Sequence, residues 1–419
     1  MTTGQIKTLK IAWKALMSKV CVLSQRVPYP PNKGEKLRTY HQIEFLKRWG
    51  YEVEVFSLIE TEDDKKNAES LSAYLDIAVN TYLLESKLSR YIKAVCKGLP
   101  ISVGAFYSKA LQKVVNQKLK KGSDTLLLTA SSLSHYVFNS PNLSGSTCRL
   151  FMDFMDVDSD KWAQYAASSS FPMNHVYKRE SAGIKNLEAK TNKMFDECFL
   201  IAEEETALFS KKVDDSKPVT VLGNGLDFNA FYPANSKTVV TKTISHPHFL
   251  FTGVMDYKPN VDAVLWFMKN CWPLIRKGAP NAKFTIAGMN PIEDIKSLNG
   301  KVGVEVTGFV DDILPYFHNA HAFVAPFRLA RGVQNKVLQA AACKLPIITT
   351  PMGGEGIHFA NSDAMWIVKD ADEFASACLE SINDLGLAQT KAEKSYRAII
   401  SEYSWEQQLT PLKEALGQR

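Results

Sequence analysis

Two periodicities alternate along this chain. Short apolar runs such as Val20–Leu23 and Thr125–Thr129 read as strands buried on both faces. Between them, longer stretches repeat their apolar residues every three or four positions, as helices do. A Pro-rich loop, Gln25–Lys33, follows the first run, and Gly34 opens a helix carrying Leu37, Tyr40, Ile43 and Leu46. Gly50 ends that helix, and Glu52–Ser57 alternates as the next strand. Arg149–Phe154, Glu197–Ile201 and Val219–Leu222 are further strands. His175–Phe195 is a long amphipathic helix with Tyr177, Ile184, Leu187, Thr191 and Met194 in phase.

A Pro/Ser/Thr-rich stretch, Tyr232–Pro247, then breaks the pattern and marks a linker. Beyond it a second register begins. His248–Thr252, Lys283–Ala287, Val302–Thr307, Ala322–Ala325 and Pro346–Thr350 are strands, with helices predicted at Val261–Lys277 and Val333–Cys343. Ala392–Leu416 is helical, interrupted at Tyr403-Ser-Trp405. Strands alternating with helices predict an α/β fold of two Rossmann-like, doubly wound parallel sheets, with ligands in a cleft at the carboxyl ends of the strands. The boundaries expected are an extension over 1–18, a first domain over 19–232 and a second over 233–395. Residues 396–419 form a terminal helix.

At 419 residues the chain is long enough for two such domains. Its 50 Lys+Arg against 44 Asp+Glu leave +6, spread along the chain, which is not the basic stripe of a nucleic-acid binder. Seven cysteines with no Cys-x-x-Cys pair read as reduced core thiols, which points to the cytoplasm. No run of 18 apolar residues spans a bilayer. The first seventeen residues place Ile6, Leu9, Trp13, Leu16 and Met17 near one helical face with lysines elsewhere, which fits a basic interfacial helix. They lack the apolar region and cleavage site of a secretory signal. A leader ahead of a first strand that starts after Met17 fits equally well.

Several loops carry a resemblance. They are Pro28-Tyr-Pro-Pro-Asn-Lys-Gly34, Met152-Asp-Phe-Met-Asp-Val-Asp-Ser-Asp-Lys-Trp162 and Gly223-Asn-Gly-Leu-Asp227 in the first half. Gly253-Val-Met-Asp-Tyr-Lys-Pro-Asn260, Ala330-Arg-Gly-Val-Gln-Asn-Lys-Val-Leu-Gln339 and Ser404-Trp405-Glu406 follow in the second. In this order they resemble the GT-B glycosyltransferases of the retaining family 4 type. The closest resemblance is to the sugar transferases associated with bacterial exopolysaccharide gene clusters of the PEP-CTERM/EpsH type. The resemblance implies two domains facing across a cleft, acceptor in the first and donor in the second, with the terminal helix returning to the first domain. It implies a UDP- or GDP-linked sugar donor, a glycan or lipid-linked acceptor, no metal and no other cofactor. The expected workplace is the cytoplasm or the inner face of the cytoplasmic membrane.

Local chemistry supports the carry-over. Arg331-Gly332 precedes the helix at 333–343, whose free N–H groups and positive dipole end suit an anion, and Lys336 lies in its first turn beside Asn335. Arg331 and Lys336 would stabilise charge on a departing diphosphate. Gln339 stands where many family 4 enzymes carry a ribose-binding Glu; an amide oxygen still accepts a hydrogen bond, without charge. Gly253 and Asn260 are candidate phosphate-loop contacts and Lys258 a surrogate cation. In the first domain Gly34 permits close backbone approach, Asp153 and His135 are candidate cleft residues, and Asp156 occupies about the position of a His in many relatives. Asp158 suits a helix N-cap. His246-Pro-His248 and His318-x-x-His321 lack further ligands at metal-site spacing. Two rivals remain open: a nucleotide-sugar 2-epimerase of the same architecture, and a non-catalytic nucleotide- or glycan-binding module.

Overall fold

Val20, Cys21, Val22 and Leu23 are each at most 1% exposed, and Leu126, Leu127 and Leu128 are fully enclosed: strands without a wet face must lie inside a covered sheet. A computed structural model describes residues 19–31, 34–122, 124–213, 216–234, 246–329 and 333–418 and divides the chain into two units. The first comprises residues up to Asn224 together with those from Leu409 on, and the second Gly225–Gln408. The expected extension over 1–18 lies outside the described residues.

In the first unit seven strands run in order: β1 Lys19–Ser24, β2 Glu52–Ile59, β3 Ala78–Leu83, β4 Thr125–Leu128, β5 Arg149–Met155, β6 Glu197–Leu200 and β7 Thr220–Val221. They form one parallel sheet in the order β3-β2-β1-β4-β5-β6-β7. The chain builds outward from β1 in one direction, then returns to lay β4 on its other side. That reversal puts a crevice at the carboxyl ends of β1 and β4.

The second unit repeats the plan with β8 His248–Thr252, β9 Lys283–Ala287, β10 Val304–Gly308, β11 Ala322–Ala325, β12 Ile347–Thr349 and β13 Trp366–Ile367. Their order is β10-β9-β8-β11-β12-β13, again parallel, with the reversal between β8 and β11. The expected pair of Rossmann-like α/β units is therefore observed.

Some boundaries move. The division between units lies at Asn224 rather than 232, because Leu226 already hydrogen-bonds to Tyr403 within the second unit (N to O, 2.7 Å). The terminal segment is three helices, Leu385–Glu402, Trp405–Gln408 and Thr410–Gly417, and only residues from 409 on belong to the first unit. There Arg149 donates to the carbonyls of Ala415 (2.6 Å) and Leu416 (2.8 Å), satisfying the free end of the last helix. The helix expected at 261–277 starts at Lys258, with Pro259 in its first turn, and is broken by a π-helical turn at Phe267–Cys271. Pro273, which has no N–H to give, sits just past the break in the helix Trp272–Gly278.

Candidate functional site

In the first unit a pocket of about 220 Å³ opens at the ends of β1, β4 and β5, with the start of helix Gly34–Arg48 at its rim. A methyl group built on Gly34 would meet no atom within 4 Å, so the protein leaves this stretch of backbone open toward the pocket. Beneath lies Arg38, fully buried. Its Nε and Nη2 hold both oxygens of Asp153 at 2.6 and 2.9 Å, and its Nη1 donates to Asn224 Oδ1 at 3.1 Å. Gln42 donates to Asp153 as well (2.5 Å). Asp153 therefore does not face the pocket: it is a buried counter-ion, and the expectation that it meets a ligand is corrected.

Its second task is geometric. Asp153 Oδ1 accepts from the N–H of Met155 at 3.1 Å, and Met155 has φ +65°. Asp156 N–H donates back to the carbonyl of Phe154 at 2.9 Å, closing a three-residue turn around Met155. Such tight turns with positive φ are uncommon outside glycine and need support from neighbours. The turn delivers Asp156, exposed, into the pocket.

Asp158 is the first residue of helix Asp158–Ser168 rather than its cap. Its carboxylate takes the hydroxyl of Ser131, and burial pushes its pKa up. The free N–H groups of this helix start are satisfied from elsewhere: Val157 N–H by Glu205 (2.8 Å) and Ser159 N–H by Glu188 (3.1 Å). Burial pushes Glu188 up to about 7. Glu188 escaped the sequence reading although it follows Ile184 by four residues, on the inward face of the helix Met173–Met194. His135 lies elsewhere, against Tyr107 (ring centres 5.9 Å apart) in a separate small pocket, and its pKa is lowered chiefly by burial.

In the second unit the loops after β8 and β9 touch through bare backbone. A methyl on Gly288 (φ +147°) would fall 1.7 Å from the carbonyl oxygen of Gly253, and one on Gly253 would fall 2.6 Å from Asn260 Nδ2. Asn260 is buried and bridges: its Nδ2 donates to the carbonyl of Val254 at 2.9 Å, and its Oδ1 accepts from Lys336 Nζ at 2.6 Å. Lys336 stands in the first turn of helix Asn335–Ala342, with its amine 4.7 Å from the ring centre of Phe327 and 5.4 Å from that of Phe251. Burial lowers its pKa from 10.5 to about 8, and no carboxylate contributes to that shift.

Gly253, Asn260 and Lys336 are thus brought together at the reversal between β8 and β11. Gln339 lies three residues on in the same helix, partly buried; Asn335 and Lys258 are exposed at the starts of their helices. Arg331 and Gly332 lie outside the described residues. Phe327 also walls an open pocket of about 750 Å³ whose far side is the loop Thr350–His358 after β12. Sequence reading passed over that loop and Arg328, which grips Asp262 with two hydrogen bonds (2.6 and 3.2 Å). The run Gly353-Gly354-Glu355-Gly356 at a strand's carboxyl end was the available signal. Three of these histidines serve the framework: the His248 ring meets Thr285 Oγ1 (2.8 Å), the His248 backbone N–H donates to His321 Nδ1 (3.0 Å), and His318 meets the Tyr232 carbonyl (2.7 Å).

Residues 246–384 match the family model described as glycosyl transferases group 1. Over 402 residues the chain is 24% identical to an uncharacterized 44.6 kDa protein in the cps region of Klebsiella pneumoniae, covering 92% of this chain and 97% of that one. Among solved structures it resembles sucrose-phosphate synthase from Thermosynechococcus elongatus (TM-score 0.63, 15% identity, 95% of this chain and 98% of that one). It also resembles Anabaena HepE in complex with UDP and glucose (TM-score 0.64, 12% identity, 96% and 100%). The fold expected from the loops, GT-B with two Rossmann-like domains, is the fold of these structures.

Proposed function

We propose that this group 1 type glycosyltransferase moves a sugar from a UDP- or GDP-linked donor to a glycan or lipid-linked glycan acceptor in bacterial cell-surface polysaccharide assembly. On this reading the second unit takes the donor and the first the acceptor. The reaction is retaining, of the family 4 type, and needs no metal. The similarity to a cps-region protein and to HepE, solved with UDP and glucose, supports this choice of substrates.

One observation carries the reading: the Lys336 amine, desolvated over two phenyl rings and aimed by Asn260. A partly buried cation whose described neighbours include no carboxylate lacks only an anion. A nucleoside diphosphate supplies one, and the negative charge that grows on it as the sugar leaves strengthens the attraction in the transition state. The Asn335 N–H group at the same helix start adds a donor, and Gln339 accepts from the ribose hydroxyls. In the first unit Asp156 orients the acceptor hydroxyl or stabilises positive charge on the sugar ring.

Titration calorimetry with UDP and GDP, followed by transfer from the better-bound nucleotide sugar to polyprenyl-linked acceptors, tests the proposal. Binding of one nucleotide with transfer abolished in Asp156→Asn is the expected result. Failure of the chain to bind any nucleoside diphosphate would overturn it.

A further inference from the structure

The helix Lys87–Cys96 in the first unit wears its apolar side outward. At about 100° per residue, Leu88, Tyr91, Ile92, Val95 and Cys96 share an arc of about 140°. All five are exposed, Leu88 by 70% and Ile92 by 54%. The residues this helix turns toward the protein are Arg90 and Ala94. Arg90 is held there by the carboxylate of Glu60 and the carbonyl of Ala105. An arginine thus anchors the helix from within while its aliphatic stripe faces solvent. Leu83, at the end of β3, adds to the exposed surface just ahead of it. Single exposed apolar residues are ordinary; a contiguous stripe on one helix indicates an occupant.

The charges around the stripe choose that occupant. Residues 87–97 contain Lys87, Arg90, Lys93 and Lys97 and no acidic residue. Two carboxylates stand against these four cations: Glu60 beside Lys87 and Arg90, and Glu85 beside Lys93. Arg90, Lys93, Lys97 and Lys109 also line one small pocket against the helix, four cations against the single carboxylate of Glu85, with Tyr107 and His135 in its wall. Apolar side chains flanked by lysines, with a cationic recess alongside, match the boundary of a lipid layer: acyl chains under the stripe and phosphates at the level of the lysines.

We propose that helix 87–96 is a peripheral docking surface for a membrane containing anionic phospholipid. Leu88, Ile92 and Val95 enter the interface, and Lys93, Lys97 and Lys109 meet the lipid phosphates. The proposal rests on this helix alone and stands whether or not the proposed donor is right. No described helix is long and apolar enough to cross a membrane, so the contact is one of lying on, not spanning.

Flotation of the full chain with vesicles tests this, using phosphatidylcholine alone and phosphatidylcholine with phosphatidylglycerol. The wild-type chain floats with the second mixture, and Leu88→Glu/Ile92→Glu lowers that partition about tenfold or more with an unchanged Tm, since both positions are exposed. Cys96, the exposed one of the seven cysteines, carries an environment-sensitive fluorophore whose emission shifts to the blue on adding the anionic vesicles. The proposal is overturned by flotation of the double variant equal to wild type. It is equally overturned if neither protein floats and sedimentation velocity shows a wild-type dimer that the double variant abolishes, for the stripe is then an interface between copies.

Discussion

Replacing Lys336 with Met should weaken nucleoside diphosphate binding while leaving the fold as stable as before or slightly more so. Met keeps an unbranched stem against Phe251 and Phe327 and removes only the charged end. Lowering the amine from 10.5 to about 8 corresponds to a penalty on its charged form of about 3 kcal/mol. The variant escapes that penalty and leaves Asn260 Oδ1 without its donor, at a cost of about 1 kcal/mol. The lost attraction is larger: a phosphate charge about 4 Å away at an effective dielectric of 20 is worth about 4 kcal/mol before desolvation. A Kd about 100-fold higher is the expected compromise, read by titration calorimetry below pH 8. Two pH signatures follow. Between about 8 and 10.5 the unfolded chain holds a proton on Lys336 that the folded chain has released, so wild-type stability rises with pH across that window, and the Met variant loses this slope. A bound diphosphate also pulls the pKa back up, so wild-type binding at pH 8.5 takes up protons, measurable in two buffers of different ionisation enthalpy. A falling Tm with unchanged Kd would refute the reasoning and return Lys336 to a structural role.

Gln339→Glu should tighten donor binding by about tenfold through charge-assisted hydrogen bonds to the ribose, mostly in KM; weaker binding by a protein of unchanged Tm would mark Gln339 as an adapted contact. Arg38→Met leaves the Asp153 carboxylate buried and unpaired and should cost about 3–5 kcal/mol in urea unfolding, with part recovered in Arg38→Met/Asp153→Leu; a single variant within about 1 kcal/mol of wild type contradicts the buried pair. Glu188→Gln should raise Tm at pH 8. The folded pKa of about 7 exceeds the unfolded 4.5, so the wild-type penalty on the charged form grows from pH 4.5 to 7 and is absent below, and the two melting curves should converge near pH 4.

The strands that carry the sites were legible because they are buried on both faces and spell unbroken apolar runs, as β1 and β4 do. The edge strands β3 and β13 were not: Ala78–Leu83 is half-wet with polar residues among its apolar ones, and Trp366–Ile367 is two residues long. Lys336 could be found because its chemistry depends on one helix start, a local feature. Asp153 was misread because its partner, Arg38, sits 115 residues earlier, and a carboxylate beside a loop looks alike in sequence whether it faces solvent or a guanidinium. Glu188 was hidden for a similar reason: a helix start was expected to be capped by its own Asp158, and the acceptors instead arrive from other helices.

The membership of residues from 409 on in the first unit has a consequence for biosynthesis. The second unit is one uninterrupted segment, Gly225–Gln408, inserted between two parts of the first. As the chain emerges from the ribosome, the β1–β7 sheet is assembled long before Leu412, Ala415 and Leu416, which are buried in the finished fold, have been made. At about 5–20 residues per second, roughly 10–40 seconds separate Asn224 from Leu409. During that interval the inserted unit completes its own sheet, while the first unit waits with the guanidinium of Arg149 lacking the helix carbonyls it will hold. The half made first is therefore the half finished last: a chain released after Gln408 would contain every residue of the second unit but lack the segment that completes the first.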